Sequence, residues 1–76
     1  MRPGAFEKEF GQRVKAARRK EGLTQCELAC KLYVTQNTVL NWEQGRRQPN
    51  LFMTCKLARM LRVSVGYLIT GEENEK

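Results

Sequence analysis

Gln36, Asn37, Thr38 and Asn41 place three side-chain amides and a hydroxyl within six positions. An amide presents a donor and an acceptor at fixed spacing and can bond adenine through two hydrogen bonds. A threonine can bond a base or a phosphate, or pack its methyl on thymine. Arg46 and Arg47 follow closely, and cations of this kind suit backbone phosphates. Bond-making chemistry is missing by contrast. The chain has no His and no Asp, which removes the commonest general base and the commonest metal ligand. No nucleophile stands beside a base, and 76 residues leave little room for a sizeable pocket, so the expectation is no enzyme and no cofactor. Cys26 and Cys30 lie four apart, but a structural zinc wants four ligands and no His or second Cys pair supplies them, so no metal is expected. A redox role for Cys26 or Cys30 stays open, and Cys55 reads as a small core residue.

Such amides need a scaffold that turns them outward. Glycines and the two prolines divide the chain into short helical blocks, with no alternating strand pattern longer than four residues. The first block runs from about Ala5 to Lys20, with Phe6, Phe10, Val14 and Ala17 as its apolar stripe and Gly22 as its stop. Thr24 and Glu27 form a capping box that opens a second helix, with Leu28, Ala29 and Leu32 inward, ending near Leu32 or Tyr33. Val34 is a buried spacer. Thr35 caps a third helix from Gln36 to about Gln44, whose apolar residues are Val39, Trp42 and, less clearly, Leu40. Asn50 caps a fourth, about Leu51 to Leu61, with Leu51, Cys55 or Thr54, Ala58 and Leu61 inward. Ser64 caps a short fifth, Val65 to Thr70, ended by Gly71. Five short helices cannot each bury a face alone, so the economical answer is an all-α, compact five-helix bundle spanning residues 6–71. Residues 1–5 are expected to be a flexible N-terminus and 72–76 a disordered acidic tail.

One domain is the most this length allows, and 41% hydrophobic with 29% charged residues is a globular rather than a disordered composition. The formal net charge is +6, and three of the eight acids (Glu72, Glu73 and Glu75) fall in the last five residues. A body this cationic favours a polyanionic partner, nucleic acid before anionic membrane. No run of about 18 apolar residues and no apolar leader segment is visible, so neither a membrane span nor export is expected. Three cysteines in such a chain read as thiols in a reducing cytoplasm.

Two short helices joined by about three residues between Gln25 and Trp42 have the spacing of a helix-turn-helix. In that arrangement the first helix braces the second so that its exposed face reaches a major groove. Here the sequence resembles the Cro/C1-type (XRE, phage-repressor-like) helix-turn-helix family. The matching stretches are residues 11–18 (Gly-Gln-Arg-Val-Lys-Ala-Ala-Arg), 22–29 (Gly-Leu-Thr-Gln-Cys-Glu-Leu-Ala), 34–39 (Val-Thr-Gln-Asn-Thr-Val) and 42–49 (Trp-Glu-Gln-Gly-Arg-Arg-Gln-Pro). Residues 56–58 (Lys-Leu-Ala) and 61–71 (Leu-Arg-Val-Ser-Val-Gly-Tyr-Leu-Ile-Thr-Gly) complete them. The resemblance implies a lambda-repressor-like bundle and a regulator that binds double-stranded DNA sequence-specifically, as a homodimer acting as a repressor. It implies base contacts from Gln36, Asn37 and Asn41, and phosphate or mixed contacts from Gln25, Thr35, Thr38, Arg46 and Arg47. It also implies an ion pair between Arg18 and Glu43, and a dimer contact drawn from Val65, Tyr67, Leu68 and Ile69.

Departures from the family pattern matter too. Tyr33 stands where the family usually has Gly, at a turn whose backbone tends to positive φ. Ala17 and Thr54 are smaller than usual, and Phe52 is an apolar residue on an expected surface, an addition to the dimer contact. Arg13, Lys15, Arg19 and Lys20 read as a solvated face that steers polyanions, and Trp42 as core. Two alternatives remain: an antitoxin-type protein that binds a toxin partner and autoregulates through DNA, and a non-specific nucleic-acid compactor.

Overall fold

The computed structural model describes residues 4–72. It forms five helices: α1 (Ala5–Lys20), α2 (Gln25–Leu32), α3 (Gln36–Glu43), α4 (Leu51–Leu61) and α5 (Val65–Thr70), with no strand among the described residues. Expectations for residues 1–3 and 73–76 lie outside the described residues, whereas Gly4 already caps α1 and Ala5 opens it.

Local chemistry starts four of the five helices. The Thr24 hydroxyl accepts from the Glu27 N–H at 3.0 Å while the Glu27 carboxylate accepts from the Thr24 N–H at 2.8 Å, closing the capping box of α2. Thr35, Asn50 and Ser64 each accept from the backbone N–H three residues on and so cap α3, α4 and α5. Such a cap is worth about 1 kcal/mol. For α1 the charges agree with the helix dipole, with Glu7 in the first turn and Arg18, Arg19 and Lys20 in the last.

Phe10, Val14 and Ala17 of α1, Leu28 and Leu32 of α2, Val39 and Trp42 of α3, Leu57, Ala58 and Leu61 of α4, and Leu68 of α5 close one core. Fully burying a Leu or Val contributes roughly 1.5–3 kcal/mol. Several expected positions differ. Phe6 stays half-exposed, because it lies one turn before Phe10, at the open end of α1. Leu51 is exposed at the first residue of α4, and Cys55 is exposed as well. The inward stripe of α4 is Thr54, Leu57, Ala58 and Leu61, a phase that leaves Cys55 a residue to one side. Val34 is half-buried rather than buried. Thr54 fits the core because its hydroxyl donates to the Asn50 carbonyl at 2.8 Å. Leu68 is fully buried within the bundle, which leaves it no surface for the dimer contact expected of it.

Arg13 also departs from its expected place on a solvated face. Its Nε donates to the Leu68 carbonyl and its Nη2 to the Ile69 carbonyl, each at 3.1 Å. These carbonyls lie in the last turn of α5, where a helix has no partners of its own for them. One α1 side chain thus fastens the shortest helix to the bundle.

Tyr33 ends α2 in the left-handed region, with φ 59° and ψ 40°. For a residue with a Cβ this costs about 1–2 kcal/mol. The ring is 93% exposed and recovers nothing by packing. Tyr33→Gly is therefore expected to stabilise the fold by about 1 kcal/mol, less whatever freedom glycine adds to the unfolded chain. The urea midpoint should rise at unchanged slope; an unmoved or lower midpoint would remove the strain from the account.

Candidate nucleic-acid interface

Both α2 and α3 are eight residues long, and a helix about 10–12 Å across with its side chains suits a major groove about 12 Å wide. The two pack on each other and α3 also packs on α1. Val39, Trp42 and Glu43 are buried on the inner side of α3. Gln36 and Asn37 are exposed at its first turn, and Thr38 and Asn41 are half-buried beside them. The helix thus presents its amide-bearing face to solvent and holds its apolar face inside.

A buried polar cluster locks this orientation. The Glu43 carboxylate accepts from Arg18 Nε at 2.6 Å and from Arg18 Nη2 at 3.2 Å, a two-pronged pair across α1 and α3. Arg18 Nη1 donates to the Leu23 carbonyl at 2.8 Å. Gln25, at the first residue of α2, donates its amide Nε2 to Glu43 Oε1 at 3.0 Å. The Gln25 amide is thereby oriented, with its second N–H left for another acceptor. Among the described residues no buried side-chain nitrogen or oxygen lacks a partner.

Thr35 and Thr38 bring their hydroxyls to 2.9 Å from each other at the start of α3. After α3 the chain turns at Gly45, and the Asn41 carbonyl accepts from the Arg46 and Arg47 backbone N–H groups at 3.0 and 3.4 Å. This ties the basic loop back onto α3 while both arginine side chains stay exposed. Thr38, Asn41, Trp42, Arg47 and Gln48 line an open cleft of about 380 Å³. Gln48 is the lining residue that sequence reasoning missed, since a loop between Gly45 and Pro49 has no period to betray which way it faces.

A family model described as Helix-turn-helix matches residues 14–68, across α2 and α3 and the elements that brace them. The chain belongs to the Cro/C1-type helix-turn-helix family. The HTH-type transcriptional regulator ImmR of Bacillus subtilis (strain 168) is 39% identical over 67 residues, covering 88% of this chain and 53% of ImmR. The uncharacterized HTH-type transcriptional regulator YqaE of the same organism is 36% identical over 67 residues, 88% of this chain and 58% of YqaE. The chain thus spans a little over half the length of these curated relatives. Among solved structures, the P22 c2 repressor protein in complex with a synthetic operator superposes with a TM-score of 0.79 at 28% identity, covering 83% of this chain and 96% of that one. This is a lambda-repressor-like bundle from a family of helix-turn-helix transcriptional regulators. No helix among the described residues is long and apolar enough to cross a membrane.

Proposed function

We propose that this chain binds double-stranded DNA sequence-specifically as a homodimer and represses transcription by occluding a pseudo-palindromic operator. The observation that carries this is the outward amide face of α3, opposite an inner face of Val39, Trp42 and Glu43 that is buried in the bundle. Gln36, Asn37 and Asn41 read base edges. Gln25, Thr35, Thr38, Arg46 and Arg47 hold phosphates and set register. Two copies place their α3 helices in successive major grooves about 34 Å apart. Phe52, 81% exposed, and the half-buried Val65, Tyr67 and Ile69 supply the apolar surface for that pairing. The exposed thiols of Cys26, Cys30 and Cys55 suit a reducing cytoplasm.

Selecting bound sequences from a random DNA pool tests this reading, because it returns specificity, half-site spacing and symmetry together. A recovered pool with no shared sequence would overturn it. With the selected site in hand, Asn37→Ala is expected to cost about 1–3 kcal/mol and relax preference at one position per half-site. Arg46→Ala should weaken every sequence alike and lower the salt slope by about 1 per subunit. If Asn37→Ala left the preferred site unchanged, Asn37 would lose its base-reading role.

A further inference from the structure

We propose that the cleft beside α3 is a phosphate-binding notch in which the indole N–H of Trp42 is a donor held in place by core packing, and that its occupant is a backbone phosphodiester of the bound DNA. This rests on the DNA-binding reading above. The lining residues Thr38, Asn41, Trp42, Arg47 and Gln48 offer a hydroxyl, two amides, an indole N–H and a guanidinium, with no carboxylate among them. That donor-rich set favours an oxyanion. At about 380 Å³ the cleft holds far more than one water, whose share of liquid volume is roughly 30 Å³.

Trp42 is only 4% exposed, so its ring is core. A buried indole N–H ordinarily finds an acceptor. None of the hydrogen bonds among the described residues uses this one, yet no buried side-chain nitrogen there is left unsatisfied. Both facts hold together if the indole nitrogen keeps some exposure, and the open cleft is one that Trp42 helps to line. The opposite wall is held in place: the Arg47 N–H donates to the Asn41 carbonyl at 3.4 Å and the Gln48 amide donates to the Gly45 carbonyl at 3.3 Å. A phosphate seated here would meet a neutral donor fixed by core packing and the exposed cation of Arg47. It would lie against the flank of α3, where a strand bordering the major groove must pass.

The chain holds one tryptophan, so its indole N–H gives a single NMR signal that needs no assignment. The full chain would be titrated with the tightest duplex from the selection, with that duplex carrying one neutral methylphosphonate at each backbone position in turn, and with sodium phosphate alone. The indole signal is expected to move downfield with the native duplex, to lose that shift at one methylphosphonate position per half-site, and to move less with sodium phosphate. In parallel, Trp42→Phe keeps an aromatic ring and removes the N–H. It should weaken binding about tenfold per subunit, so roughly a hundredfold for the dimer, at the low end for a hydrogen bond to a charged group, for all sequences alike and with the salt slope unchanged because the indole is neutral. Arg47→Ala should instead lower that slope by about one per subunit. If α3 signals move with the duplex while the indole stays still and Trp42→Phe binds as the parent does, the notch is wrong and the DNA reading stands. If sodium phosphate moves the indole and the duplex does not, the site takes a free anion and the proposal is overturned. If no duplex moves α2 or α3, the DNA reading itself fails. Should Trp42→Phe not fold, the titration of the parent chain still decides.

Discussion

Replacing Gly11 with alanine is expected to lower folding stability by about 3 kcal/mol, although helix propensity alone points the other way. Gly11 lies inside α1, where alanine would be favoured by about 1 kcal/mol. A Cβ at this position, however, would stand 2.5 Å from the Trp42 carbonyl oxygen and nearer still to that of Glu43. Both obstacles are backbone atoms at the C-terminal end of α3, so no side-chain rotation relieves them. Either α1 and α3 separate or α3 tilts. Overpacking of this kind costs about 1–3 kcal/mol where side chains can yield and more where they cannot, so the clash wins over propensity. In a domain of this size the loss corresponds to a fall in melting temperature of roughly 12–24 °C. Gln12→Ala, one residue on and exposed, is the control, with propensity acting and no clash. A Gly11→Ala variant as stable as the parent would mean that α1 and α3 do not approach this closely. The functional stake is direct, since the carbonyls that would be displaced belong to the helix that presents the amides.

What the amino-acid sequence discloses here is mostly what acts over three or four residues. Thr24 with Glu27, and Thr35, Asn50 and Ser64, cap helices whose partner N–H lies three positions away, so those starts are legible. The left-handed end of α2 at Tyr33 was legible only by resemblance, and the same conformation at Arg62 (φ 63°) has no local signal at all. Phase was harder. In α4, Leu51, Cys55 and Leu57 are all plausible inward residues by character. The choice of Leu57 is made by where α1, α2 and α5 press on the helix. The sequence around Arg13 suggests a solvated face because its acceptors lie 55 and 56 residues away. Leu68 was misplaced for a related reason: a short helix shows which residues are apolar, not which of them its own core has already taken. At the candidate interface, the outward side of α3 follows from its period. That Trp42 walls a cleft with Arg47 and Gln48 depends on how the loop folds back, which periodicity does not reach.

Glu43→Ala is expected to cost about 3–5 kcal/mol, and Arg18→Ala a similar amount, because each strands the other's charge where water is excluded. The side chains are 9% and 2% exposed, for Arg18 and Glu43 respectively. After Glu43→Ala the guanidinium would keep only the Leu23 carbonyl, and after Arg18→Ala the carboxylate would keep only the Gln25 amide. A domain of 76 residues has a total stability of roughly 4–11 kcal/mol, so either single change brings the fold near its limit. Replacing both together, Arg18→Met with Glu43→Leu, removes two desolvation penalties along with one attraction. It should be far milder than either single change, and neutral or stabilising if the apolar pair packs. Urea denaturation of the parent, Arg18→Met, Glu43→Leu and the double variant gives the coupling directly. If each single change cost less than about 1 kcal/mol, the pair would be behaving as a solvent-exposed one, against its burial. The double variant also separates stability from function. It retains the α1–α3 contact but leaves Gln25 without the acceptor that orients its amide, so DNA affinity should fall even where the melting curve does not. An ion pair that adds little net stability over an apolar pair would then owe its place to the side chain it aims.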